Sequence, residues 1–166
     1  FGSTLLSSAI PRELDEIDVV YEKFELVDKK DEKPLEGLLE YWTGFFLKIK
    51  WDASAYGDNL KEGDYFTVNI PDEIKLKNAQ EFDLTFGGKV VGRAVITPGS
   101  EGGGTIKVTF NKNVEHVDKI KGDLKIDAIF NVKKYVKQEN GDYKISFEFD
   151  GGKHYEYDIK GVKLNQ

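Results

Sequence analysis

The sequence contains neither cysteine nor methionine. Without cysteine, the chain cannot form a disulfide scaffold or a thiolate metal site. It also lacks any apolar run long enough to cross a membrane as a helix, so we expect no direct membrane insertion. The apolar pairs at residues 5–6 and 9–10 are too short for the core of a signal peptide.

Basic residues are outnumbered by acidic ones, 24 to 30, which gives a formal net charge of −6. A general nucleic-acid binder needs a basic face, so this balance argues against a nucleic-acid partner. It also disfavours docking on an anionic membrane surface. The simplest consequence of the acidic excess is solubility.

The length of 166 residues is enough for one domain with a full hydrophobic core. Residues 1–15 are small and polar and contain Pro11, so we expect a weakly ordered leader there, or residues left by protein expression. Regular patterning starts at Glu16, and no obvious linker follows before the last few residues. We therefore predict a single domain over residues 16–166.

Period-two alternation of apolar and polar residues is the main structural signal. It is clearest over residues 43–51, where apolar residues hold every second position. The opposite face of this segment carries Phe46, Lys48 and Lys50, which is typical of a half-buried strand. An earlier segment shows a one-residue slip just before Phe24, and this slip predicts a β-bulge or a change of sheet.

Many short strands separated by turn residues are expected along the rest of the chain. The pair Gly87-Gly88 predicts a two-residue hairpin turn. Residues 35–41 are ambiguous and compatible with a helical turn, and residues 111–120 are expected to contain another. In total the pattern indicates an all-β antiparallel β-sandwich of nine or ten strands. Further alternating segments lie at 64–70, 81–86, 89–97, 105–110, 123–133, 143–149 and 154–159.

No pattern in the chain indicates catalysis. The glycines at 102–104 precede a strand and not a helix, so a flexible hairpin connection explains them better than a phosphate-binding loop. His116 and His154 lie in different segments without cysteine or histidine neighbours, whereas a zinc site needs three or four ligands. The acidic residues between 52 and 64 lack the spacing of an EF-hand calcium loop. We expect no enzyme active site, no metal and no cofactor.

The tyrosines of the last segment leave two interpretations open. Tyr155 and Tyr157 share one face of this segment, and charged or polar residues share the other. A tyrosine stripe is compatible with a ligand-facing sheet surface, since tyrosine is favoured at interfaces. It is equally compatible with the second half of a hydrophobic core.

Several motifs, in order, resemble the Ig-like domains of Gram-positive cell-wall-anchored adhesins. The segment 63–71 (GDYFTVNIP) is similar to a characteristic strand of these domains, and it is followed by 92–98 (GRAVITP). A Thr-Phe-Asn ending at Asn111, then Val114-Glu115 and Gly122, continue the likeness. The similarity covers roughly residues 51–130. This region resembles the first Ig-like subdomain of the staphylococcal collagen adhesin and the related domains of fibrinogen-binding adhesins of the Ser-Asp-repeat type.

The resemblance implies an immunoglobulin-like sandwich that works as a non-catalytic adhesion module on a bacterial cell surface. The expected partner is a host matrix or plasma protein of the collagen or fibrinogen type. A neighbouring Ig-like subdomain of the same chain is a second expected partner, because a segment from it adds a strand across the first subdomain in this family. The sequence itself adds Phe46, Lys48 and Lys50 as candidate ligand-binding residues, together with exposed strand edges. The alternatives are a structural stalk or spacer, and a carbohydrate-binding sandwich that would use Tyr155 and Tyr157.

Some domains of this family also carry a Lys-Asn or Lys-Asp isopeptide crosslink. The nearest candidates here are Lys48 and Lys50 on an early strand and Asp127 and Asn131 on a later one. The reaction needs a neutral lysine amine, which burial favours. Alternation places all four residues on the polar side, so we do not expect a crosslink.

Overall fold

Twelve β-strands make up the computed structural model, which describes residues 15–162. Three short 3-10 helices connect some of them, at Ser54–Tyr56, Lys112–Val114 and Val132–Lys134. The predicted leader lies almost wholly outside the described residues. The strands are β1 (Val20–Val27), β2 (Leu38–Leu39), β3 (Gly44–Asp52), β4 (Tyr65–Ile70), β5 (Ile74–Leu76), β6 (Gln80–Phe86), β7 (Lys89–Pro98), β8 (Gly104–Phe110), β9 (Lys121–Phe130), β10 (Val136–Lys137), β11 (Tyr143–Phe149) and β12 (Lys153–Ile159).

The strands form three four-stranded sheets. Sheet 1 has the order β1-β3-β9-β5, sheet 2 the order β4-β8-β7-β6, and sheet 3 the order β10-β11-β12-β2. All pairs between these strands are antiparallel except the short parallel contact between β12 and β2. Central pairs such as β3 with β9 join segments that are far apart in sequence.

One face of sheet 1 packs against both other sheets, which together form the second layer of a sandwich. Phe24 lies opposite Ile49 in the β1–β3 ladder, so Phe24 and Trp51 point to the same side. The Trp51 ring lies 5.0 Å from Phe66 of sheet 2. The Phe24 ring stacks 3.8 Å from Phe149 of sheet 3. Because these large rings leave water on folding, this interior supplies most of the stabilising free energy.

The all-β prediction is confirmed, and so are several local predictions. The β1–β3 ladder shifts register between Tyr21 and Lys23, next to the place where the apolar pattern slips. Gly87 and Gly88 both have positive φ, 60° and 82°, in the tight turn between β6 and β7. Positive φ is the conformation that such hairpin turns require.

Three short strands were not predicted. The helical turn considered for residues 35–41 is wrong, because β2 lies there and pairs with β12. Likewise β5 and β10 add to the edges of sheets 1 and 3. Segments of two or three residues cannot show a period, so alternation gave no signal for them.

The glycine cluster is packed and not the loose connection that the sequence suggested. The Gly103 amide donates to the Ile74 carbonyl at 2.7 Å. The Asn131 side-chain amide donates to the carbonyl oxygens of Asp72 and Glu101, at 2.9 and 3.0 Å. These bonds tie the loop between β7 and β8 to the ends of β4, β5 and β9.

Candidate functional site

The face of sheet 1 that points away from the core carries the predicted candidates Phe46, Lys48 and Lys50. Their neighbours along β3 are buried, so the orientation follows from strand alternation. Strand β9 brings Lys125 opposite Lys48 and Asp127 opposite Phe46. We call this surface the charged face. Its role in binding stays a prediction.

Most charges of the charged face are paired within the domain. Glu32, from the loop after β1, accepts hydrogen bonds from the ammonium groups of Lys125 and Lys48. These bonds, that of Lys125 first, lower the pKa of the Glu32 carboxyl. The Lys125 ammonium also lies 4.5 Å from the centre of the Phe46 ring. Because Lys48 is paired with Glu32, Lys50 is the exposed cation among the predicted candidates.

The four crosslink candidates do not meet in the structure. Lys48 is engaged by Glu32, and Asp127 forms an ion pair with Lys29, a residue that was not among the candidates. Asn131 lies just beyond the end of β9 and is 5% exposed, so its assignment to the polar side was wrong. Its amide instead holds the glycine cluster. The absence of a crosslink stays a prediction.

Tyr155 and Tyr157 lie on the side of sheet 3 that packs against the core. The Tyr155 hydroxyl donates to the Phe24 carbonyl of β1 at 2.8 Å. The Tyr157 ring packs 5.4 Å from Phe130. Burial raises the pKa of Tyr157 to about 12, with a smaller contribution from Tyr155. Of the two open interpretations, the geometry favours the second half of the core.

Alkaline titration tests this placement. Burial raises the pKa values of Tyr21, Tyr135 and Tyr157 from 10.0 to about 12. Between these pH values the folded state keeps protons that the unfolded state has lost, so the tyrosines' contribution to stability should be constant below pH 10 and fall as pH rises toward 12. Ultraviolet absorbance of tyrosinate should show a late phase in the native protein, reduced in Tyr157→Phe. A native titration that matches the urea-denatured one would contradict the prediction.

A groove of about 670 Å³ lies between the β6–β7 hairpin and the adjoining ends of β3 and β9. Two strand edges border it. Strand β6 pairs with β7 on one side, and no other described strand pairs with it. Strand β9 pairs with β5 only over residues 128–130, which leaves residues 121–127 without a second partner in the described part of the chain. Unpaired edges present free N–H and C=O groups to an incoming chain.

The groove combines an apolar floor with charged walls. Trp51 and Leu84 line it and are buried, while Lys50, Lys121 and Asp123 line it at the surface. Lys50 thus belongs both to the charged face and to the groove. Sequence reasoning missed the groove as a whole, because only the pairing of distant strands brings these residues together.

The Trp51 ring is fixed at the floor of the groove by a glycine. A Cβ atom placed on Gly122 would lie 2.6 Å from Cζ2 of Trp51, so no larger residue fits there without movement. The buried Trp51 Nε1 has no hydrogen-bond partner among the described residues. Strand β9 therefore lies close to the Trp51 ring of β3 at the apolar floor of the groove.

Residues 15–162 contain neither a group of metal-ligating side chains nor a helix that could span a membrane. No group of three or more His, Asp or Glu side chains is arranged to hold a metal ion there. No helix within the same range is long and apolar enough to span a membrane. The acidic residues between 52 and 64 have local roles instead: the Asp52 carboxylate accepts from the Ser54 amide, and Asp64 accepts from the Lys61 amide.

The sandwich is similar to solved adhesin domains. The Srr1 serine-rich repeat adhesion glycoprotein of Streptococcus agalactiae matches with a TM-score of 0.58 and 14% identity, over 95% of this chain and 48% of that one. The collagen adhesin of Staphylococcus aureus matches with a TM-score of 0.52 and 19% identity, over 90% and 43%. The collagen-binding domain of the Erysipelothrix rhusiopathiae surface protein RspB gives 0.56 and 11%, over 86% and 46%. The class of the fold is therefore an Ig-like β-sandwich of the adhesin type.

Sequence comparison gives the family. Residues 40–141 match the model of the bacterial Ig domain, Big_8, and the chain belongs to this family. Fibronectin-binding protein A of S. aureus, from strains MSSA476 and N315, is 28% identical over 123 residues. The match to the MSSA476 protein covers 72% of this chain and 12% of that relative, so the chain spans only a small part of its curated relatives.

Proposed function

We propose that this domain is a non-catalytic adhesion module of a bacterial surface protein, and that the full-length protein is anchored to the cell wall. Its partner would be a host extracellular-matrix or plasma protein. The observation that carries the proposal is the groove with two unpaired strand edges. The relatives support it, because one is named for fibronectin binding and two of the structural neighbours are described as a collagen adhesin and a collagen-binding domain.

The groove would work by strand addition. An extended segment that enters it forms main-chain hydrogen bonds to the free edge of β6 or β9 and rests its apolar side chains on Trp51 and Leu84. Lys50 and Lys121 stand at the rim, where they favour acidic side chains of the segment. The segment would come from the partner or from a neighbouring Ig-like subdomain of the same chain. This proposed binding mechanism involves no chemical reaction in the groove.

Charge reversal at the rim tests the proposal. Binding to immobilised collagen, fibrinogen and fibronectin is measured by surface plasmon resonance, and we expect at least one of them to bind. The double variant Lys50→Glu, Lys121→Glu should weaken this binding about tenfold, mainly through loss of electrostatic attraction. The matched control is Lys30→Glu, Lys112→Glu, which makes the same change of charge at exposed positions outside the groove.

Two results would contradict the proposal. Equal weakening by the two double variants would mean that only overall charge matters. No binding to any of the three proteins by the unmodified domain would favour the alternative of a structural stalk or spacer. The carbohydrate alternative loses its original site, because Tyr155 and Tyr157 pack inward.

A further inference from the structure

An exposed tryptophan stands apart from the charged face and the groove. Trp42 is 74% exposed, although tryptophan is among the residues that gain most from burial. It lies in the turn after β2, where the Thr43 amide and hydroxyl both bond to the Glu40 carbonyl. The turn is thus fixed with the indole in solvent. Single exposed apolar residues are common on protein surfaces, so Trp42 supports a binding site only together with the residues around it.

The turn is locked to a second segment by tyrosines. The Tyr41 ring makes edge contacts with Trp42 at 4.8 Å and with Tyr135 at 5.0 Å. The Tyr135 hydroxyl donates to the Tyr41 carbonyl at 2.7 Å. Trp42 is therefore held next to the segment that surrounds Tyr135. Val136 in that segment is also 61% exposed.

The segment around Tyr135 carries three cations. Lys133, Lys134 and Lys137 are all exposed, and none of them forms an ion pair with a described residue. On the charged face, by contrast, Lys48 and Lys125 are paired with Glu32. The chain has a net charge of −6, so a group of lysines without ion-pair partners near an exposed aromatic ring is unusual. Such a group favours an anionic ligand.

We propose that Trp42 and Lys133, Lys134 and Lys137, here called the aromatic-lysine patch, bind a sulfated glycan. The flat indole face of Trp42 stacks on a sugar ring, and the lysine ammonium groups pair with sulfates along the chain. This goes beyond the proposed function and uses a different surface.

The exposure of Trp42 favours a glycan over an acidic peptide. Peptide anchors are buried in desolvated pockets, and their energy comes from that desolvation. Trp42 instead protrudes with most of its surface in water. A sugar ring needs only the face of the indole, while three exposed lysines within five residues of sequence match the repeated charges of a polyanion.

Tryptophan fluorescence tests the proposal, because the chain has only two tryptophans and Trp51 is 1% exposed. Quenching by the neutral quencher acrylamide therefore reports on Trp42. Adding a heparin oligosaccharide should protect Trp42 in a saturable way, and the apparent affinity should fall steeply as salt is raised. Neutral dextran should give no protection.

Two variants assign the residues, with isothermal titration calorimetry as the common readout. Lys133→Gln, Lys134→Gln, Lys137→Gln should weaken heparin-oligosaccharide binding at least tenfold, and so should Trp42→Ala. All four positions are exposed or turn positions, so circular dichroism should match that of the unmodified domain. The matched control is Lys30→Gln, Lys89→Gln, Lys112→Gln, which removes three exposed cations elsewhere and should bind normally.

The proposal would be overturned if the oligosaccharide did not protect Trp42, or if the control triple variant lost as much affinity as the patch variant. It would also be overturned if polyglutamate bound as tightly as the oligosaccharide, because the ligand would then be an acidic peptide. The groove variant Lys50→Glu, Lys121→Glu should keep its oligosaccharide binding. The two proposals can therefore fail independently.

Discussion

Replacing Trp51 with alanine is expected to lower the free energy of unfolding by about 3–5 kcal/mol. The indole is 1% exposed and packs 5.0 Å from Phe66 and 5.9 Å from Phe110, which places it between sheets 1 and 2. Its removal loses the transfer free energy of a large ring and leaves a cavity that the surrounding strands cannot close. Since single domains are stable by only about 5–15 kcal/mol, the variant should be close to unfolding.

Phe46→Ala is the matched control, since it removes an aromatic ring from the same strand but from the opposite face. Phe46 is half-buried on the charged face and contacts Lys125, so we expect a loss within about 1 kcal/mol. Urea unfolding followed by circular dichroism gives both values. Similar losses in the two variants would show that the sandwich does not bury the face that alternation assigns to it.

Local pattern was enough to predict most of the strands. The segment at 143–149 has the same limits as β11, and that at 43–51 lies within one residue of β3. Both have one face in the core and one in solvent, which is the situation that produces strict alternation. The bulge in β1 and the turn at Gly87-Gly88 were also predictable, because each depends only on residues within a few positions of one another.

Predictions failed where structure depends on distant residues. Alternation put the start of the first strand before β1, but Ile17 is buried outside any strand and bonds through its amide to the Tyr65 carbonyl. Asn131 looked like a polar-face residue, yet the end of β9 places it against the glycine cluster. Neither contact produces a periodic pattern of apolar and polar residues in the sequence.

The candidate sites divide in the same way. The outward orientation of Phe46, Lys48 and Lys50 followed from alternation alone. The groove did not, because it exists only where β5 ends early and leaves part of β9 unpaired beside β6. Trp42 also gave no signal, since an isolated tryptophan in a short turn is as compatible with a core position as with an exposed one.

Apart from Trp51 and Leu84 at the floor of the groove, both proposed surfaces lie on positions that the core does not need. The groove uses strand edges, and the aromatic-lysine patch uses a turn and the segment around β10. Such positions tolerate substitution while the sandwich stays folded. Loss of binding in their variants can therefore be separated from loss of structure, which is not the case for Trp51.

Gly104→Ala is expected to destabilise the domain by about 2–4 kcal/mol, although it adds a single methyl group. Gly104 has a φ of 135°, a conformation that residues with a Cβ rarely adopt. The new Cβ would also lie 2.3 Å from the Thr97 carbonyl oxygen and 2.9 Å from the Gly99 amide. Both neighbours are backbone atoms at the β7–β8 turn, so relief requires movement of the two central strands of sheet 2.

Gly152→Ala provides the control for this variant. Gly152 lies in the turn between β11 and β12, its φ is not positive, and a Cβ added there would meet no atom within 4 Å beyond its chain neighbours. Alanine there restricts the unfolded chain without a clash, so stability should stay equal or rise by about 0.4–1 kcal/mol. Urea unfolding of both variants separates the effects. If Gly104→Ala proved as stable as Gly152→Ala, the glycine cluster would be the flexible connection suggested by the sequence, and Asn131 would not be holding a rigid loop.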